Sequence, residues 1–122
     1  MRRLIEHLPV LNYMRRLSTI EQKNLISTAP KDLLITLSEI ALNIISKNIP
    51  LTRLQIEKLR KFEKDIVSLS QKKHSLAKRR KILRGKGLVK NLLDVTIPPL
   101  MVSLARKKQS KSKKDVGRQE MG

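Results

Sequence analysis

The run PKDLLITLSEIALNIISKN at residues 30–48 constrains this chain most, because it is the most hydrophobic part of its first two thirds. Leu33, Leu37 and Ile44 recur at helical spacing, and further leucines and isoleucines widen their stripe to most of the circumference. A helix that is apolar nearly all round has to be buried, so the remaining segments must pack around it. Pro50 cannot continue the helix and marks its end.

The neighbouring segments carry further helix signals. Pro9 lies inside a three-and-four pattern of apolar residues and predicts a kinked or restarted first helix. Ser18 and Glu21 have the spacing of a capping box, which predicts a short helix from that point. Thr52 and Gln55 repeat the pattern at the start of a longer helix. The sequence therefore predicts an all-α fold, and with no cysteine it has no disulfides.

The segment after Thr52 predicts one long basic helix that ends at Gly85. Its apolar seam consists of Ile56, Leu59, Phe62, Ile66 and Leu69. After Leu69 the seam thins, which predicts that the second half projects from the body into solvent. Ser70 or Ser75 is an alternative start for a new helix, and the sequence alone leaves both interpretations open.

Positive charge is concentrated in that same region. The net charge is +18, and residues 52–93 hold fourteen basic and three acidic side chains, against seven and four in residues 1–51. Residues 66–93 contain no Asp or Glu. An ordinary solvated helix face mixes both signs, so this imbalance predicts binding to a polyanion.

The predicted binding residues lie in a basic arm, residues 72–87, that ends in a glycine hinge. They are Lys72, Lys73, Lys78, Arg79, Arg80, Lys81, Arg84 and Lys86. Tyr13 and Phe62 are the only aromatic residues, so no platform for stacking single-stranded bases is visible. Lys and Arg contacts to phosphates position a duplex without reading its sequence. The expected partner is therefore a nucleic-acid duplex, DNA or RNA, bound without sequence preference, and the run KRRK at 78–81 fits a nuclear import signal.

Catalytic and metal-binding patterns are not visible in the sequence. His7 and His74 are the only histidines, and neither has carboxylates at ligand spacing. Gly85 and Gly87 follow a predicted helix and not a strand, which argues against a phosphate-binding loop. The sequence predicts neither an enzyme nor a protein with a cofactor or metal.

The apolar segment at residues 88–105 has three interpretations: a core element, a self-association surface, or a segment that lies on anionic lipid. Core packing is the default among them. Lys90 and Asp94 interrupt the segment and argue against a membrane span. Pro98 and Pro99 predict a break, with a separate short element after them.

The sequence thus divides into four segments by pattern and charge. They are a helical body at 1–71, the basic arm at 72–87, the apolar segment at 88–105 and a basic tail at 106–122. The tail is polar and charged with almost no apolar residues, which predicts disorder.

Several short motifs follow one another in a fixed order over about residues 30–87. They are Asp32-Leu33, Leu37, Ser38-Glu39, Ala41-Leu42-Asn43, Asn48-Ile49-Pro50-Leu51, Leu59-Arg60-Lys61, and a Lys/Arg block closing with Ile82-Leu83 before the glycines. In this order they resemble small basic open reading frames of Polinton (Maverick) elements and adintoviruses, which have been compared with the adenovirus core protein X, or mu. The resemblance implies a virion-core, genome-condensing role in a virus or virus-like transposon. It also implies double-stranded DNA as the partner and the nucleus or a virion core as the location.

The chain departs from that pattern in its last third. Lys86 separates the two glycines, and the apolar segment lacks the aromatic residue of such proteins. A membrane-active or protein-interaction module remains an alternative, with the basic arm facing anionic lipid. An RNA-associated basic protein is a further alternative.

Overall fold

The computed structural model describes the backbone of residues 2–85 and 87–121, and the side chains of residues 3–85 and 87–105. This part of the chain forms helices and no strand, which confirms the predicted all-α class. The helices are α1 (Arg2–Glu6), α2 (Leu8–Arg16), α3 (Thr19–Ser27), α4 (Lys31–Ile45), α5 (Arg53–Arg60), α6 (Glu63–Ser70), α7 (Leu76–Leu83) and α8 (Leu88–Met121).

The local signals for helix starts are confirmed. The first helix restarts at His7, and Pro9 lies in the first turn of α2, where its missing N–H costs little. Ser18 Oγ accepts a hydrogen bond from the Glu21 backbone N–H at 3.2 Å, and Glu21 Oε1 accepts one from the Ser18 N–H at 3.1 Å. The same reciprocal pair joins Thr52 and Gln55 at the start of α5.

Helix α4 is the centre of the fold, as its composition predicts. It packs against α1, α6, α7 and α8, and Leu34, Leu37 and Ile40 are fully buried. Its last two turns are less covered than the sequence predicts, since Leu42 is 37% exposed and Ile45 is 42% exposed.

Helix α4 ends in a C-terminal cap formed by the backbone. Lys47 adopts a left-handed conformation with φ 60°, and the Asn48 N–H donates to the Asn43 carbonyl oxygen at 2.9 Å. This turn redirects the chain towards α5.

The predicted long helix after Thr52 is wrong, because the chain forms three shorter helices there. Helix α5 ends at Arg60, α6 begins after Phe62, and a turn precedes Ser75. A single rod to residue 84 would be about 50 Å long at 1.5 Å per residue. The bends instead place Leu59, Phe62, Ile66, Leu69 and Leu83 in one core. Ser75 is the N-cap of α7, so this alternative start is confirmed.

Helix α8 closes the core. Its first ten residues include Leu88, Leu92, Leu93 and Ile97, all buried, and it packs against α2, α3, α4 and α5. Of the three interpretations of the apolar segment, residues 88–97 follow the core one.

The break predicted at Pro98 and Pro99 is wrong, because α8 continues through both. Proline's fixed φ is compatible with a helix, although each ring removes the N–H donor to the carbonyl four residues earlier and crowds that carbonyl. The well-buried turns before the prolines hold the helix direction against that local loss.

Leu88–Ala105 is the one helical stretch among the described residues with the length and hydropathy to cross a membrane, and 39% of it is buried within the protein. The core helix of a soluble protein passes the same test. The backbone of residues 106–121 continues α8 as a helix, in contrast to the disorder predicted for the tail at 106–122, and the side chains beyond Ala105 lie outside the described residues.

Candidate nucleic-acid interface

Helix α7 lies against the body instead of projecting into solvent. It packs on α3, α4 and α6. Leu83 is buried, and Leu76 and Ile82 are packed against the core. These three side chains form the apolar face of α7, which the weak apolar pattern after Leu69 indicates only in part. Residues 76–83 of the basic arm are therefore a docked helix, and the core holds the backbone that carries its cations.

Arg80 fastens α7 to the C-terminus of α3. Its Nη1 donates to the carbonyl oxygens of Ile26 at 2.8 Å, Ser27 at 3.1 Å and Ala29 at 3.0 Å. The last carbonyls of a helix lack helical partners and carry partial negative charge, so a guanidinium is well matched to them. The structure gives Arg80 a structural role, in place of the free phosphate contact that the sequence predicts.

A signal for this role was present in the sequence. Arg80 and Lys73 both continue one row of the apolar seam, and Lys73 is exposed, so the row makes Arg80 a candidate for packing without singling it out. What the sequence does not contain is the partner, because the three carbonyl groups are more than fifty residues away along the chain.

Five of the eight predicted cations face solvent, and we call them the basic surface. They are Lys72, Lys73, Lys78, Lys81 and Arg84. Lys72 and Lys73 lie in the turn before α7 and the other three on α7 itself or at its C-cap. The first turn of α7 carries no acidic residue, so its helix dipole adds further positive potential. Arg79 is half-buried, and Lys86 lies outside the described residues.

His74 reports the electrostatics of this surface. Its Nε2 lies 3.2 Å from Ser68 Oγ. Partial desolvation lowers the pKa of His74, and the neighbouring charges of Lys78, Lys73 and Arg79 lower it further. The described residues contain no group of His, Cys, Asp or Glu that could hold a metal ion.

The fold and the surface together define a class: a small all-α protein with a group of exposed cations around a docked helix. No protein-family model, curated protein or solved structure matches this chain. Its function is therefore inferred from the residues and their geometry.

Proposed function

We propose that the protein binds double-stranded DNA without sequence preference, through contacts between its basic surface and backbone phosphates. The observation that carries the proposal is the basic surface itself, with five exposed cations around a docked helix in a stretch without acids. Unpaired like charges lower the stability of a compact protein unless a polyanion neutralises them. Such an arrangement is therefore best explained by a ligand that carries the opposite charge.

Docking supports phosphate binding in particular. Because Leu83 and Arg80 hold α7 against the body, the lysines do not need to order a flexible arm when they bind. Each phosphate they neutralise releases condensed counterions, and this release supplies most of the free energy of non-specific binding.

The net charge of +18 also supports a role in condensing DNA, since many copies would neutralise the backbone charge. The order of motifs that resembles Polinton and adintovirus proteins extends this proposal to a genome-condensing, virion-core-like protein acting in the nucleus or the virion. Duplex RNA offers the same phosphates and is the competing nucleic acid.

Anionic membrane is the weaker alternative for this surface. A helix that lies on lipid needs an apolar face beside its cations. In α7 that face, formed by Leu76, Ile82 and Leu83, already packs against the core. The exposed Met101 and Val102 lie on α8, on the other side of the glycine turn in the chain.

The test is a salt-titrated binding assay with two unrelated DNA duplexes, a duplex RNA of the same length, and vesicles with and without anionic lipid. Similar affinity for both DNA duplexes is expected, and log K should fall with log salt with a slope of about −4 to −5 for about five contacts. A flat salt response, strong preference for one duplex, or binding to anionic vesicles alone would overturn the proposal.

A further inference from the structure

A cleft of about 340 Å³ lies beside the basic surface, between α1, α4 and the turn from α6 to α7. Its lining includes Arg3, Ile35, Glu39, Leu42, Lys72 and Arg79. The cations come from two separate parts of the chain, α1 and the basic arm, so only the tertiary fold brings Arg3 beside the other two. A cleft of this size is at the small end of ligand sites and suits a compact polar group.

The charges in the cleft are unequal. Arg3 Nη1 and Glu39 Oε1 form an ion pair at 3.0 Å, and both side chains remain partly exposed. Glu39 is the one carboxylate among the described lining residues. The Arg3–Glu39 pair therefore leaves Lys72 and Arg79 uncompensated, and the cleft has a net positive charge.

Arg79 has a donor that the fold does not use. Its Nη2 donates to the Lys72 carbonyl oxygen at 3.2 Å, which holds the guanidinium in place. Its Nε is buried and has no hydrogen-bond partner among the described residues. Arg15 Nε is unmatched in the same way, so the Arg79 donor supports a bound acceptor only together with the cleft and its uncompensated charge. The apolar walls at Ile35 and Leu42 strengthen any charged hydrogen bond formed there.

We propose that this cleft seats one phosphate of the DNA backbone, held by Arg79 and Lys72. Planar guanidinium groups bind phosphate with more than one hydrogen bond, and an ammonium adds a point charge. Lys72 belongs to both the cleft and the basic surface, so the cleft adjoins the surface on which the proposed duplex lies. The inference rests on the proposed DNA binding and adds a defined contact to it.

Glu39 has a restraining role in this account. Its carboxylate repels a phosphate that enters the cleft and keeps Arg3 occupied. Replacing it with an uncharged residue should release Arg3 as an additional phosphate contact. This expectation distinguishes the cleft from the rest of the protein surface, because an identical change of charge elsewhere does not open a site.

The experiment compares Glu39→Gln with Glu57→Gln in the full chain. Glu57 is a matched control, because it pairs with Arg60 on α5 at 3.3 Å and lies outside the cleft. Both variants gain one unit of net charge. In salt-titrated duplex binding, Glu39→Gln should tighten binding and steepen the slope by about 0.9, the value for one added contact. The slope of Glu57→Gln should match that of the unaltered protein.

A second measurement reads the unused donor directly. The Nε–H resonance of Arg79, assigned by loss in Arg79→Lys, should shift saturably when a short DNA duplex is added. Arg79→Lys keeps the charge but lacks Nε, so it should bind duplex more weakly than the control Arg53→Lys. Circular dichroism melts of both variants check that each is folded.

The outcomes separate the two proposals. Equal salt slopes for Glu39→Gln and Glu57→Gln, or an Arg79 resonance that duplex does not shift, would overturn the phosphate site in the cleft. The proposal that the protein binds DNA would still stand. A shift with inorganic phosphate but none with duplex would overturn the site for a backbone phosphate too, because the cleft would then bind a free anion. If the unaltered protein binds no duplex, the proposed function fails first.

Discussion

Helices α3 and α7 begin alike and differ three residues later. Ser18 and Ser75 are their N-caps, and each serine Oγ accepts the backbone N–H of the third helical residue at 3.2 Å. In α3 that residue is Glu21, whose carboxylate bonds back to the cap, and these hydrogen bonds lower its pKa. In α7 the same position is Lys78, a cation at the positive end of the helix dipole.

The difference shows what stabilises each helix. Helix α3 satisfies its N-terminus locally, with an acid where the dipole favours one. Helix α7 has no such acid at its N-terminus. It is held instead by Leu83, which lies in the core, and by Arg80, which binds the C-terminus of α3. Lys78, in the first turn of α7, is therefore unfavourable for the stability of its own helix, which points to a role in binding.

The largest effect on this comparison should come from removing the core anchor of α7. Leu83→Ala deletes a side chain that is 2% exposed and should lower the free energy of unfolding by about 2–5 kcal/mol. Leu54, which is 79% exposed on α5, is the control, and its change to Ala should cost less than about 0.5 kcal/mol. Urea denaturation measures both. Similar small losses would mean that α7 is not docked through Leu83.

Removing the Arg80 clamp should have the next largest effect. Arg80→Gln loses charged hydrogen bonds to the α3 carbonyls and should cost about 1.5–3 kcal/mol. Lys81→Gln removes the same charge from the exposed neighbour and should change stability by at most about 0.5 kcal/mol. DNA binding should respond in the opposite way. Lys81→Gln should reduce the salt slope of binding, while the folded fraction of Arg80→Gln should largely keep it. Equal losses of stability would refute the clamp.

Exchanging the third residues sharpens the comparison directly. Lys78→Glu gives α7 the capping-box sequence of α3 and should stabilise the protein by about 0.5–1 kcal/mol. The same change should weaken duplex binding, because a cation of the basic surface becomes an anion. Glu21→Lys should destabilise α3 by a similar amount. If Lys78→Glu changed neither the free energy of unfolding nor the affinity for duplex, Lys78 would not favour binding at the expense of the stability of α7.

The smallest effect is a pH dependence centred on His74. Its folded pKa lies below the ordinary 6.5, so the free protein keeps it neutral to lower pH than an unfolded chain does. Phosphates bound nearby should raise that pKa, so DNA binding takes up a proton and affinity rises as pH falls through the interval between the bound and the free pKa of His74. His74→Gln should abolish this dependence when binding is measured at fixed salt. An unchanged pH profile would place the phosphates away from His74.

Structural features that are set by neighbouring residues could be predicted from the sequence. The capping boxes at Ser18 and Thr52 and the apolar run of α4 each lie within a few turns of chain, and all three are confirmed. The bend at Phe62 and the passage of α8 through Pro98 depend on distant packing, which no local pattern encodes.

The candidate site divides in the same way. The exposed lysines could be found because an acid-free run is visible in the sequence. The sequence alone predicts Arg80 as a further binding residue, because its carbonyl partners are close to it only in the folded chain. The cleft beside Glu39 could not be predicted either, because its lining comes from three distant segments.

The central claim is that position, and not net charge alone, makes the basic surface bind DNA. Two variants with equal charge test it: Lys72, Lys78 and Lys81 all changed to Gln, against Lys31, Lys58 and Lys64 all changed to Gln. All six lysines are exposed. The first variant should lose about three contacts, shallowing the salt slope by about 2.7, while the second keeps nearly the full slope. Equal slopes in the two variants would contradict the account.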